Sequence, residues 1–191
     1  SSLRLVLCAG ADLPVSLARR FRDVFGIPIV NFLGMGEVKL VASPRMENGF
    51  EAPEGSVGTP PPGVEVRFVD EKMNDVPAGQ PGEFLVRSVG WMTGYFRDPE
   101  RTAACNLDGW YVSGDLGYRD ENGFIYFVGR SREQIIRGGA KVAPAEVEEV
   151  LAAHPGVTQC AVIGVEDALY GEAVKAFIVT QDKALDDDAM T

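Results

Sequence analysis

The stretch "YVSGDLGYRDENGFIYFVGRSREQIIRGG", Tyr111 to Gly139, decides how the chain is divided. Its middle, "YRDENGFIYFVGR", gives a hairpin around Asn122-Gly123, a dipeptide suited to a tight turn. After Arg130 that pattern stops, and "EQIIRGG" opens a different one. The reading is that a β-rich unit ends and a second unit begins near Gly129 to Arg132. Working back from Tyr111, "GVEVRFVDE" and "GEFLVRS" are short strands bounded by turn signals, the first within and the second just after a region from Ser43 to Pro81 where Gly and Pro cluster. A small antiparallel sheet or barrel is expected there. A short helix is expected at "DPERTAAC", with Asp98 as cap and Pro99 at the first helical position.

The two ends read differently. "LRLVLCAG" is a buried strand, and "PVSLARRFRDVFG" an amphipathic helix with Leu17, Phe21, Val24 and Phe25 on one face and Gly26 as cap. "IPIVNFLG" is a second strand. Strand, helix and strand open a βαβ unit, whose parallel sheet needs more strands than follow, so the chain is expected to be cut from something larger. Beyond the boundary come a helix started by Pro144, with Val147, Val150 and Leu151 on one face, and the strands "TQCAVIGVED" and "EAVKAFIVTQ". The fold class is therefore α/β plus α+β: a partial parallel α/β unit over 1–42, a β-rich, barrel-like subdomain over 43–129, and a partial α+β domain over 130–191.

With 191 residues and 46% hydrophobic content the chain can bury a core. Its 28 acidic against 18 basic residues give a net charge of −10, which argues against nucleic acid or an anionic membrane as the main partner. Cys8, Cys105 and Cys160 are odd in number and widely spaced, a usage that suggests neither a disulfide framework nor a zinc site and fits a reducing cytoplasm. No apolar run approaches the roughly 18 residues that span a bilayer. The chain closes on a polar, acidic "KALDDDAMT".

Several residues carry candidate chemistry, each with a plainer alternative. Asp115, behind Gly114, can accept two hydrogen bonds from a vicinal diol such as a ribose, or cap a turn. Arg130 ends an apolar strand, and its guanidinium can hold a diol oxygen or phosphate, or form an interdomain salt bridge. Ser131, Arg132 and Glu133 have the composition of a hinge or of a simple linker. Gly138 and Gly139 admit close backbone approach between Arg137 and Lys141, or make a tight turn. Glu37, past a strand and two glycines, suits a magnesium shared with phosphates. His154 reads as a residue at a helix C-terminus, the aromatic residues Trp91, Tyr95, Trp110 and Tyr111 as sheet packing, and Glu148, Glu149 and Asp186 to Asp188 as solvated faces.

In this order the pieces resemble the central to C-terminal part of an AMP-forming acyl-CoA synthetase, in the adenylate-forming superfamily that also holds luciferases and nonribosomal peptide adenylation domains. "YVSGD" is similar to the family's Tyr-x-Thr/Ser-Gly-Asp element, "GQPGEFLVRSVGWMTGYFRDPERT" to its Gly-Glu-Leu segment, and "GRSREQIIRGGAKVAPAEVEEVL" to its hinge and mobile domain. The resemblance implies an enzyme that joins a small carboxylic acid to ATP with Mg2+, then passes the acyl group from the adenylate to coenzyme A. It implies that Asp115 holds the ribose hydroxyls of ATP or AMP with help from Arg130, and that Gly10, Ala11, Asp12 and Gly34 line the nucleotide pocket. Glu37 is the implied magnesium-associated catalytic acid, Arg132 the hinge about which the last domain swings, and Gly138 and Gly139 part of the thiol tunnel.

Leu33 stands where the family usually has an adenine-stacking aromatic, and Gly36 where it has a hydroxyl. Each departure is expected to weaken nucleotide binding by about 1 kcal/mol or more. The family's phosphate loop and catalytic lysine are expected outside the chain, which by itself is expected to be inactive. A carrier-protein-loading adenylation domain and a noncatalytic module that kept the fold are the competing readings; acid identity and oligomeric state are left open.

Overall fold

The computed structural model describes residues 2–10, 13–45 and 52–180, and the chain divides into two units, Ser1–Ser131 and Arg132–Thr191. In the first unit β1 (Val6–Cys8) leads through α1 (Val15–Phe25) to β2 (Ile29–Asn31). The two strands pair in parallel, Val6 opposite Ile29 and Cys8 opposite Asn31. Gly26 ends the helix in a left-handed conformation, φ 69°, and donates its N–H to the Arg22 carbonyl at 2.8 Å, because a residue without Cβ takes that conformation without strain. The apolar face of α1 stays open: Leu17, Val24 and Phe25 are all exposed. A two-stranded parallel sheet offers too little surface to cover it.

"IPIVNFLG" makes two strands rather than the single one expected. After Phe32, whose N–H reaches the Cys8 carbonyl, the chain leaves β1 and forms a hairpin between β3 (Leu33–Met35) and β4 (Lys39–Ala42). Then follow β5 (Ser56–Gly58), β6 (Val64–Val69), β7 (Gly82–Ser88), α2 (Pro99–Ala104), β8 (Asn106–Leu107), β9 (Trp110–Arg119) and β10 (Ile125–Arg130). They build a six-stranded antiparallel sheet in the order β5-β10-β9-β7-β6, with β8 on the flank of β9. Strands β5 and β6 end that order without pairing with each other, so the sheet is open and the barrel alternative is replaced. The Asp98 carboxylate caps α2 through the Arg101 N–H at 3.0 Å. At the β9–β10 turn, Asp120 accepts from the N–H groups of Asn122 and Phe124.

One side of this sheet packs with the β3–β4 hairpin into the core. Val38, Val41, Phe84, Val86 and Ile125 are fully buried there, and Phe68 and Phe84 meet at 4.7 Å. The cluster lies directly behind β9, the strand that carries Asp115.

A short 3-10 turn at Ser131–Glu133 straddles the division, and the second unit contains β11 (Ile135–Arg137), β12 (Ala140–Val142), α3 (Pro144–Ala152), β13 (Val157–Asp167) and β14 (Gly171–Thr180), with sheet order β12-β11-β14-β13. Strands β11 and β12 are additions to the expected helix and two strands. They are too short for periodicity to reveal them. Val150 is 74% exposed and does not share the half-buried positions of Val147 and Leu151. Glu148 is no solvated residue either: its carboxylate accepts the Val162 N–H of β13 at 2.7 Å. His154 follows α3, and its Nδ1 accepts from the Gly156 N–H. Residues 186 to 188 lie outside the described residues.

Gly117 faces the core so closely that a Cβ there would stand 2.4 Å from the Phe84 ring and 2.4 Å from the Tyr126 carbonyl oxygen. Gly117→Ala is expected to lower stability by about 2–3 kcal/mol through overpacking, seen as a lower urea midpoint.

Candidate functional site

Two strand irregularities place Asp115. On the β7 side, Glu83 faces Leu116 and Leu85 faces Val112, so Phe84 alone stands opposite Ser113, Gly114 and Asp115. On the β10 side, Phe127 faces Gly117 but Gly129 faces Leu116. Had the register run on unbroken, Asp115 would face Gly129. The extra residue, Val128, advances the strand and puts Arg130 opposite Asp115 instead. Gly114 turns through φ 74°, a conformation that favours glycine. The Asp115 side chain is 15% exposed and forms an ion pair with the 55% exposed Arg130, Nε to Oδ1 3.4 Å. This pair brings a carboxylate from within β9 and a guanidinium from the last residue of β10 face to face, a geometry suited to a pair of vicinal hydroxyls.

Glu37 lies at the tip of the β3–β4 hairpin, and its site includes partners not evident in sequence. The Tyr95 hydroxyl donates to Glu37 Oε1 at 2.6 Å, and the Met92 N–H donates to the Glu37 carbonyl at 2.7 Å. Burial pushes the Glu37 pKa up, but the Tyr95 hydroxyl, the residue's own N–H, the Tyr111 hydroxyl and the charge of Arg101 outweigh it. The carboxyl therefore titrates below the ordinary glutamate value. Burial and then the hydrogen bond to Glu37 raise Tyr95, while burial and then the Tyr95 hydroxyl carry Tyr111 far above the usual phenol value, so both remain donors. Arg101 lies over the Tyr95 ring at 4.1 Å, and Trp91 meets Tyr111 edge-on at 6.1 Å. Tyr95 is thus more than sheet packing. Trp110, by contrast, is flanked by Arg67 and Arg87 at 5.3 and 4.5 Å.

Leu33 packs its side chain against the core. Gly36 has nothing within 4 Å of where a Cβ would be, and Gly10, with φ 83°, likewise borders open space. Gly34 lies inside β3, where a Cβ would come 3.3 Å from the Lys39 carbonyl oxygen. Ala11 and Asp12 fall outside the described residues. Arg132 is exposed within the 3-10 turn. Gly138 and Gly139, φ 58° and 89°, form the turn between β11 and β12. That turn is fastened within its own unit: the Gly138 N–H donates to the Tyr170 carbonyl at 2.8 Å, and Arg137 lies over the Tyr170 ring at 4.3 Å.

The sequence profile of the AMP-binding enzyme family matches residues 1–96, and that of the AMP-binding enzyme C-terminal domain matches 146–190. The chain belongs to the AMP-binding enzyme family. A sulfoacetate–CoA ligase of Cupriavidus necator is 38% identical over 193 residues, covering 99% of this chain and 37% of its own length. A feruloyl-CoA synthase of an Amycolatopsis species is 41% identical over 186 residues, covering 95% of this chain and 37% of its own. The solved anthranilate CoA ligase AuaEII in complex with anthranoyl-AMP matches with a TM-score of 0.87 at 33% identity, over 98% of this chain and 36% of that one. This AMP-binding enzyme chain thus spans little more than a third of the length of those relatives.

Because the Glu37 pKa is depressed in the folded protein, its contribution to stability is present above the unfolded glutamate pKa and is lost as the pH falls through the folded value. Tyr95→Phe removes the closest donor and is expected to move the Glu37 carboxyl titration upward, read from its side-chain carbon shift by NMR against pH.

Proposed function

We propose that this chain is the nucleotide-holding part of an ATP-dependent acid–CoA ligase together with the first part of its mobile domain. The observation that carries the reading is Asp115, nearly buried within β9 opposite Arg130, the last strand residue before the second unit begins. In the reaction, a carboxylate oxygen attacks the α-phosphorus of ATP and the bond to pyrophosphate breaks, giving an acyl-adenylate. The thiol of coenzyme A then attacks the acyl carbon, and AMP leaves as the thioester forms. Asp115 accepts from the ribose hydroxyls through both steps, and Arg130 donates to a ribose oxygen, so the adenylate is kept between them.

Glu37 fits a magnesium ion that takes most of its ligands from phosphates and water: it is an ionised single carboxylate, and among the described residues no cluster of three acidic, Cys or His side chains exists to cage a metal by itself. Magnesium supplies charge neutralisation at the phosphates. Tyr95 and Tyr111 orient the Glu37 carboxylate, and Gly10, Ala11, Asp12 and Gly34 border the nucleotide. Arg132 serves as the pivot from which the second unit turns, presenting the Gly138-Gly139 turn to the incoming thiol. The segments are 1–42 and 43–129 for the nucleotide side and 130–191 for the mobile side, and the chain by itself does not form an adenylate. Use of ATP and coenzyme A fits a cytoplasmic enzyme. The named relatives take sulfoacetate, ferulate and anthranilate, which supports a common nucleotide half and an acid pocket built elsewhere.

The test is to incubate the full-length protein with ATP, Mg2+, coenzyme A and a panel of sulfonated, aromatic and long-chain acids. Acid-dependent pyrophosphate, AMP and an acyl-CoA thioester are expected, and Asp115→Ala is expected to lower kcat/KM for ATP by roughly tenfold or more. Pyrophosphate release with transfer only to a phosphopantetheine protein overturns the CoA assignment. Absence of acid-dependent pyrophosphate overturns the enzymatic one.

A further inference from the structure

We infer that Glu83 and Ser113 are positioning residues for the ribose grip, holding Asp115 in place by replacing the sheet hydrogen bonds that the β9 irregularity removes. The inference rests on the reading of Asp115 as the ribose acceptor. Where Phe84 faces Ser113, Gly114 and Asp115, a regular ladder is impossible, and an irregularity of this kind leaves backbone groups without ladder partners. Two side chains supply the bonds. The Gly114 N–H donates to Glu83 Oε1 at 2.9 Å. The Ser113 hydroxyl donates to the Phe84 carbonyl at 3.0 Å and accepts from the Asp115 N–H at 3.0 Å. All three bonds involve partly buried groups, where the loss of a partner costs more than in water.

The arrangement acts on direction. Gly114, at φ 74° with no side chain of its own, is free to take other conformations, and a Cβ there would touch nothing within 4 Å. Neighbouring side chains therefore do not fix this turn. The Glu83 carboxylate fixes the Ser113–Gly114 peptide from the β7 side, and Ser113 fixes the Gly114–Asp115 peptide through the Asp115 N–H. Together they set the direction in which the Asp115 side chain leaves the strand toward Arg130. Glu83 acts through its acceptor oxygen, so an uncharged acceptor of the same shape serves equally. A purely structural carboxylate gives no reason for the ribose hydroxyls to be sensed through it.

The experiment compares ATP with 2′-deoxy- and 3′-deoxy-ATP on the full-length protein, taking the ratio of kcat/KM values as the readout. Glu83→Gln is expected to keep the wild-type ratio. Glu83→Leu and Ser113→Ala are each expected to reduce it by roughly tenfold through KM for ATP more than through kcat, with unchanged circular dichroism as the folding control. A Glu83→Leu or Ser113→Ala protein that folds and keeps the wild-type ratio overturns the inference, as does a Glu83→Gln protein that loses as much as Glu83→Leu. Should Glu83→Leu fail to fold, Ser113→Ala and Glu83→Gln decide the matter. A wild-type protein that uses the deoxy nucleotides as well as ATP overturns instead the reading of Asp115 as the ribose acceptor.

Discussion

Asp115 sits where one residue of β7 must face three of β9, and the site depends on how that mismatch is absorbed. A sheet ladder fixes side chains by repetition: each residue inherits its direction from its neighbours. Here repetition fails on both flanks of β9. The β10 irregularity selects Arg130 in place of a glycine as the partner, and the β7 irregularity frees the backbone that carries the acid. Phe84 and Gly117 are packed without spare room, whereas a Cβ at Gly114 would meet nothing within 4 Å, so the slack in this strand lies at Gly114. The acid and the arginine thus meet across two inner strands of the sheet, their pairing set by an irregularity on each side of β9.

The corner at Glu37 follows a different logic. A carboxylate on a hairpin tip ordinarily turns into solvent; this one is held by a phenol from a loop beyond β7 and kept ionised against its own burial. Arg101, reaching across the Tyr95 ring, ties the start of α2 to the same corner. Leu33 packs against the core, so this end of the hairpin is held by apolar contact. Gly36 leaves space beside the acid. The hairpin is well anchored and its upper edge is bare.

What could be read from the sequence was local. Gly26 ending α1, Asp98 and Pro99 starting α2, and Asn122-Gly123 closing β9 onto β10 are all signals in which the deciding atoms lie within a few residues of each other. The facing of residues 115 and 130 is almost a matter of counting outward from that turn, apart from the one-residue offset at Val128, which no local signal announces. The hydrogen bonds that hold the site were not legible, because Glu83 lies 31 residues from Gly114 and Tyr95 lies 58 from Glu37. Register across the sheet, not composition, joins them. Glu148 misled for a related reason: a charge on a short helix looks solvent-facing until a strand N–H appears beside it. Strands β11 and β12 escaped notice because three residues carry no period.

The uncovered face of α1 has a practical outcome. Phe21 and Phe25 lean together at 4.6 Å, yet Leu17, Val24 and Phe25 remain largely open to water, and an apolar stripe of that kind seeks company. Handled alone in concentrated solution, this polypeptide is set to stick to itself through that helix, with mutual repulsion from its net charge of −10 opposing the clumping, so added salt, by weakening the repulsion, will favour turbidity.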